Sequence, residues 1–458
     1  LGTLHGNGYA IKGLTAPLFG KAFCSIKGLH LVDVNIEETA DPAVGAFART
    51  LSAGGYQSGF IDVFPSIENC SVTGSVVLNN ATTFVNTGYN EYGETVAAGL
   101  VGRAYGVTFR DCVNKARVEV KQCYPAGHTT SLYPSVGGII GYLSYANHTA
   151  SGTEVAIISN LYNLKNYGDV SLAGVEYTGE LTISKYSSMK PYIGGIVGCS
   201  HAGNGDCEVR NITNYGDVWL TGKLGNGCSL SGTFGYVKTL KGSHFYNHGN
   251  IYAKNAEFRY LYVGAGVGYC GDKTALDNVH NYGDVTIDET VTCGSIVCGG
   301  LIGYQGSGFA AADAGHSIIS NSSNSGAITV SCEDLAAELH DGTALYYRVG
   351  GLSGWTQHYY NNVMQWWGEA PADASAEICR EIINRHLASP AMLTILPLQD
   401  WMSIDGSLRF ADPDAERINV PANPTHYWRY RMHITLEQLL SAEDFNAQVE
   451  FLVKANYR

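Results

Sequence analysis

Between about residue 97 and residue 355 the apolar positions follow two short patterns that take turns along the chain. One is a strict alternation, as in Val170-Ser-Leu172 and Val285-Thr-Ile287, which places every second side chain on one face and predicts a half-buried strand. Each such strand follows an Asn-x-Gly segment: Asn166-Tyr-Gly-Asp-Val170, Asn214-Tyr-Gly-Asp-Val218, Asn247-His-Gly-Asn-Ile251, Asn281-Tyr-Gly-Asp-Val285 and Asn324-Ser-Gly-Ala-Ile328, with a degenerate copy at Asn114-Lys-Ala-Arg-Val118. The other pattern is a pair of apolar residues bracketed by glycines. It runs Gly99-Leu-Val-Gly102, Val136-Gly-Gly-Ile-Ile-Gly-Tyr142, Ile193-Gly-Gly-Ile-Val-Gly-Cys199, Gly232-Thr-Phe-Gly-Tyr236, Gly264-Ala-Gly-Val-Gly-Tyr269, Gly299-Gly-Leu-Ile-Gly-Tyr304 and Gly350-Gly-Leu-Ser-Gly-Trp355.

Alternating motifs of this kind predict a stack of repeats in which each strand pairs with copies above and below, about 4.8 Å apart. Asn-x-Gly offers a residue tolerant of positive φ and an amide for a tight corner. Asparagines at equal positions would then form an amide ladder along the stack. The double glycines let backbones approach where side chains would collide. Spacing between glycine motifs varies, 39 residues from Gly99 to Gly138 and 57 from Gly138 to Gly195, so a constant scaffold is expected to carry loops of differing length. Loops such as 143–157 and 173–191 are where recognition would most easily reside. The expected class is all-β, a right-handed β-helix or β-solenoid over residues 1–365.

The Gly-Gly-Leu-Ile-Gly and Asn-Tyr-Gly-Asp-Val segments resemble the GLUG-motif repeats of bacterial, Bacteroidetes-like cell-surface proteins. The opening Gly2-Thr-Leu-His-Gly-Asn-Gly-Tyr-Ala-Ile11 with Ala16-Pro-Leu-Phe-Gly20 is similar to a segment common in those proteins. The resemblance covers roughly residues 1–355. It implies architecture and an extracellular or cell-surface location rather than an activity, since such repeats occur in adhesins, surface proteins and accessory regions of secreted enzymes.

After residue 368 the only glycine is Gly406, while six of the twelve prolines lie there, so a boundary is expected near 365–370. Residues 366–458 read as a smaller mixed α/β capping or assembly region: a helix over 374–387 with Ile378, Ile382, Ile383 and Leu387 at helical spacing, a second over 435–445 with Thr435 as N-cap, and a strand over 447–454. A cap would cover the open edge that a stack of strands exposes. The cluster Trp355, His358, Tyr359, Tyr360, Trp366 and Trp367 is expected to pack at the junction.

Composition narrows the function. Charged residues are only 15% of the 458, with 56 glycines and 30 tyrosines. A net charge of −13 argues against a nucleic-acid partner, and no apolar run is long enough to span a membrane as a helix. Leu1 already lies in a repeat-like segment, so a natural start with any export signal is expected upstream. The twelve cysteines include no C-x-x-C pair, and several occupy apolar repeat positions, which favours buried thiols over a disulfide framework or a zinc site.

Motifs that carry chemistry fit poorly. Gly266-Val-Gly-Tyr-Cys-Gly271 has dinucleotide-loop spacing but stays in register with the repeat and opens no helix. Ser200-His201 lacks the spacing of a nucleophile elbow. Asp169, Asp217 and Asp284 share a repeat position, where stacked carboxylates could hold calcium, but Asn250 and Ala327 interrupt the series and solvated turn aspartates explain it more simply. Two aromatic series also share positions. Tyr142, Tyr236, Tyr269, Tyr304 and Trp355 follow the glycine motif and are the candidate binding residues; Tyr167, Tyr215, His248 and Tyr282 follow the corner asparagine. Stacked rings stabilise sheets by packing alone, and exposed ones would suit sugar rings or a partner protein.

The sequence reading is therefore a secreted, non-catalytic surface module, an adhesin or a structural, fibre-forming element, with no cofactor and no metal. The partners expected are a surface glycan, a host protein or a second copy joined head to tail. A polysaccharide-active β-helix enzyme, lyase or hydrolase, is the alternative.

Overall fold

The computed structural model describes residues 2–53, 64–79, 95–122, 134–150, 153–176, 190–201, 207–271, 274–305, 318–334, 347–351, 375–388, 395–410 and 432–456. The chain divides into two units, Leu1–His358 and Tyr359–Arg458.

In the first unit the described elements are strands, and they dominate the chain. They pair in parallel into one sheet of 26 strands and a second of eight, with one antiparallel hairpin, Ala146–Ala150 against Thr153–Ile157. Pairing joins each copy of a motif to the next. Asn114 is the register partner of Asn166, Asn166 of Asn214, Asn214 of Asn247, Asn247 of Asn281 and Asn281 of Asn324. The glycine motif lies where the chain leaves the large sheet for the small one. Strand Tyr192–Gly194 belongs to the former and Val197–Ser200 to the latter, and the bracketed Ile196 and Val197 are both fully buried between them. The alternating strands behave as their pattern requires: Val218 and Leu220 are fully buried and Trp219 between them is not. Each such Val or Leu contributes about 1.5–3 kcal/mol on burial, and repetition merges them into one core running from Ala22 to Ile302.

The amides of the corner asparagines form a buried ladder. Asn114, Asn166, Asn214, Asn247 and Asn281 each donate an Nδ2 hydrogen bond to the next asparagine's Oδ1 at 2.7, 2.8, 2.9, 2.8 and 2.7 Å. The same nitrogens donate to the carbonyls of residues 116, 168, 216, 249 and 283. Both amide protons are thereby satisfied, as burial demands.

The glycine of Asn-x-Gly plays a different part from the one the sequence suggested. Neither it nor the corner asparagine takes positive φ. A Cβ on Gly216 would instead lie 2.1 Å from the carbonyl oxygen of Gly168, so close backbone approach excludes a side chain. Positive φ is taken three residues before the corner, by Asn163, Asn211, His244, Asn278 and Asn321, with φ between 48° and 63°. Asn is among the few side chains that tolerate this conformation.

The described part of the second unit is helical: α1 Ala376–Ala388, α2 Leu398–Met402, α3 Leu436–Ser441 and α4 Glu443–Ala455. The strand expected over 447–454 is part of α4. Its alternation is coincidental, because Phe445, Val449 and Leu452 are the positions that pack inward, at helical spacing. The second predicted helix is two, broken at Ala442. Thr435 caps α3 in a reciprocal box: its Oγ1 accepts from Gln438 N at 3.2 Å, and Gln438 Oε1 accepts from Thr435 N at 2.8 Å. Ile383, Leu387, Met402, Ile404, Phe445 and Leu452 form this unit's own core.

Candidate functional site

The aromatic residues that follow the glycine motif line up as register partners, Tyr142 with Cys199, Cys199 with Tyr236, Tyr236 with Tyr269 and Tyr269 with Tyr304. Tyr142 is 1% exposed and packs with Tyr192 and Cys199 in a small cluster of its own. Burial raises its phenol far above the ordinary range. Tyr236, Tyr269 and Tyr304 are half-buried, with ring centroids 5.4 and 4.9 Å apart, and burial also raises the phenol of Tyr304. The structure thus brings four of the five candidates into one row, which Tyr192 and Tyr262 join through ring contacts at 4.9 and 5.4 Å. Trp355 and the cluster His358, Tyr359, Tyr360, Trp366 and Trp367 lie outside the described residues.

The second series is the exposed one. Tyr167, Tyr215, His248 and Tyr282 form a continuous stack with centroids 4.6, 4.9 and 4.6 Å apart and planes within 8–10°. Beside it, Asp169 Oδ1 accepts from Asp217 N, Asp217 Oδ1 from Asn250 N, Asn250 Oδ1 from Asp284 N and Asp284 Oδ1 from Ala327 N, at 2.8–3.0 Å. Asn250 keeps the row intact because an amide oxygen accepts as a carboxylate does. These residues are bound to the backbone of the next copy, and among the described residues no group of His, Cys, Asp and Glu has the geometry to hold a metal ion.

Ser200 is fully buried with its Oγ unpartnered, and burial together with the nearby Lys238 lowers the pKa of His201. The hydroxyl is sealed from any polymeric substrate. Gly266–Gly271 includes strand Val267–Cys270, paired in register with Phe234–Val237, and no helix follows for a phosphate to cap. All described cysteines are free. Burial pushes the fully enclosed thiols up, that of Cys207 to about 12, which keeps them protonated and unreactive. Of the two loops singled out for recognition, 143–157 carries the antiparallel hairpin, and most of 173–191 lies outside the described residues.

A cleft of about 930 Å³ opens in the second unit between α1 and α4, rimmed by residues 404–407. Its wall presents Glu377, Arg380 and Glu381 from α1, Asp405 from the rim, and Asp444, Gln448 and Phe451 from α4. Glu377 occupies the first turn of α1, where its own backbone N–H and the Ser375 side chain hold its carboxyl below the usual range. It is therefore an ionised acceptor at neutral pH. Glu381 pairs with Arg385 at 2.8 Å, and Asp405 Oδ1 accepts from Ser407 N and Oγ at 2.8 and 2.6 Å. Phe451 is 69% exposed at the cleft wall. Planar acceptors beside a bare aromatic ring suit a ligand with hydroxyl edges and an apolar face, the two sides of a pyranose.

Residues 316–436 match the family model of glycoside hydrolase family 77, 4-alpha-glucanotransferase. The chain is 34% identical over 123 residues to the 4-alpha-glucanotransferase DPE2 of Oryza sativa subsp. japonica, an alignment covering 27% of this chain and 13% of that protein. A crystal structure of a candidate immunoglobulin A1 protease from Bacteroides ovatus aligns over 76% of this chain and 68% of that one, at 14% identity and a TM-score of 0.29, too low to support an inference.

The match overturns the expectation of a non-catalytic module. Adhesin and fibre-forming roles, and the exclusion of enzymatic activity, give way to a glucan-modifying relationship carried by the last part of the chain. Reading the tail for periodicity and composition missed it, because helical spacing reports burial and says nothing of chemistry. The unabsorbed signal was the run His426-Tyr-Trp-Arg-Tyr-Arg431, whose rings and guanidinium groups serve no helix pattern and which falls inside the matched segment.

Proposed function

We propose that this protein acts on 4-α-glucans as part of a glucan-modifying enzyme. On this reading residues 1–358 form a right-handed β-solenoid of the GLUG-repeat kind, and the second unit contributes glucan contacts through the cleft between α1 and α4. The observation that carries the proposal is the match of residues 316–436 to the 4-alpha-glucanotransferase family. The alignment covers 13% of the length of the rice relative, so the glucan-transferring activity of this chain is itself part of the proposal.

Transfer between glucans breaks one glycosidic C–O bond and forms another to an acceptor hydroxyl, leaving the number of linkages unchanged. The cleft residues suit binding of the donor or acceptor chain. Glu377, Asp405, Asp444 and Gln448 accept from sugar hydroxyls, and Phe451 lies beneath an apolar sugar face. In-register parallel pairing and the continuous core support the solenoid. A secreted or cell-surface location follows from the repeat resemblance.

The test is incubation of the full chain with maltotriose, maltoheptaose and glycogen, with products separated by chain length. Redistribution into shorter and longer chains is expected. Unchanged length distributions with all substrates would sink the proposal.

A further inference from the structure

We propose that the exposed stack Tyr167, Tyr215, His248 and Tyr282, with the adjoining row Asp169, Asp217, Asn250 and Asp284, is a docking track for a neutral polysaccharide chain. The identification of that chain as a 4-α-glucan rests on the reading above; the track itself rests on geometry.

Tyr167, Tyr215 and Tyr282 are 45%, 42% and 50% exposed, and His248 is exposed between them. Rings 4.6–4.9 Å apart cover one another's faces, so the stack offers no broad aromatic platform. What it turns outward is a line of ring edges at the spacing of the sheet, ending in phenol hydroxyls and an imidazole. Two residues further along each turn comes the acidic row. One oxygen of each of its side chains is held by the next copy's backbone N–H, which fixes the direction of the aspartates' second oxygens and of the Asn250 amide nitrogen. On the far side of that row Trp219 stacks on Tyr252 at 4.0 Å. The result is a strip of donors and acceptors repeating along one axis, already ordered before any ligand arrives. Ordering costs are the main penalty on weak polar contacts, and here the fold has already met them.

Occupied ring faces, rather than charge, favour a neutral ligand over a basic segment of another protein. The ring faces a cation would seek are closed by neighbouring rings within the stack. Lys115 lies over Tyr167, 5.7 Å from the ring centroid, and Lys254 lies 4.4 Å from that of Trp219. Intrachain ammonium groups already occupy those seats. A linear polymer with evenly spaced hydroxyls matches what remains.

Affinity gel electrophoresis of the full chain in gels containing glycogen or soluble starch reads this directly. Retardation of the wild type is expected, and it should persist at about 0.5 M salt, where interactions between exposed charges are screened. The triple variant Y167F/Y215F/Y282F keeps every ring and removes only the hydroxyls. It should melt as the wild type does and bind about tenfold more weakly or worse. Undiminished retardation of the triple variant overturns the track, and so does retardation abolished by salt with binding to polylysine in its place. The two proposals fail separately. Turnover of maltotriose without retardation removes the track and leaves the enzyme, whereas hydroxyl-dependent retardation without turnover does the reverse.

Discussion

Gly195 lies directly against the side chain of Asn214, so closely that a Cβ on the glycine would fall 2.4 Å from the Asn214 Cγ. The two repeat motifs therefore meet inside the core: the double glycine leaves the space that the amide ladder fills. Gly138 with Asn166, Gly232 with Asn247 and Gly300 with Asn324 repeat the contact at 2.5, 2.3 and 2.4 Å. Neither motif is a loop signature on its own.

Breaking either partner should be costly. Asn214→Ala strands the Asn166 Nδ2 proton, the Asn247 Oδ1 and the Gly216 carbonyl in a dry interior, and a loss of about 2–4 kcal/mol is expected. Gly195→Ala must displace backbone, because the methyl also lies 2.2 Å from the Gly232 carbonyl oxygen, and a loss of about 3 kcal/mol or failure to fold is expected. Urea unfolding followed by far-UV circular dichroism measures both. A change below 1 kcal/mol (about fivefold in the equilibrium) would show that the ladder is dispensable.

The aspartate row should be tolerant of chemistry and sensitive to length. Asp217→Asn retains the acceptor for Asn250 N, as Asn250 itself does for Asp284, so its stability should match the wild type. Asp217→Ala should lose about 1 kcal/mol. Equal losses in the two variants would mean that charge rather than the hydrogen bond matters there.

Glu38 gives the first unit an acid-sensitive point. Burial alone would raise its carboxyl, but the guanidinium of Arg49 at 2.5–2.8 Å and the backbone N–H groups of Ala40 and Asp41 outweigh burial and hold it below the ordinary value. A carboxyl depressed on folding stabilises at pH above its unfolded value. That stability fades as pH falls through the folded value. Unfolding free energy measured from pH 6 to pH 3 should therefore drop more steeply for the wild type than for Glu38→Gln. Parallel profiles would contradict the pairing.

The thiols should report folding. Cys70, Cys112, Cys199 and Cys207 are buried, and burial raises each of them. A disulfide reagent at pH 8 should label Cys24, Cys332 and Cys379 first, and the buried set only in denaturant. Fast labelling of Cys112 or Cys199 in native protein would show that the core opens readily.

Within the second unit, Thr435→Ala removes the side-chain half of the capping box at α3 and should cost about 1 kcal/mol. Thr435→Ser should restore most of it. Thermal melts of the pair separate the cap from any wider effect of the substitution.

The sequence by itself determined the strand class, the alternation of two motifs and the positions that stack, because period-two burial and recurrent glycine and asparagine are local properties that repetition amplifies. It also marked Thr435 as a cap, since the N-cap and first-turn residues are neighbours in sequence. Other features were decided only by the tertiary structure. Which residues take positive φ depended on where the backbone bends: Asn163 and Asn211 rather than the asparagines and glycines of the corner. Which tyrosines are exposed depended on the facing strand. Tyr142 is enclosed and Tyr236 only half-buried, although both follow the glycine motif in the same way. The cleft between α1 and α4 draws Glu377, Asp405 and Phe451 from segments distant in sequence, and no periodicity records that convergence. Burial and register belong to pairs of segments, and a single segment read alone carries only half of each pair.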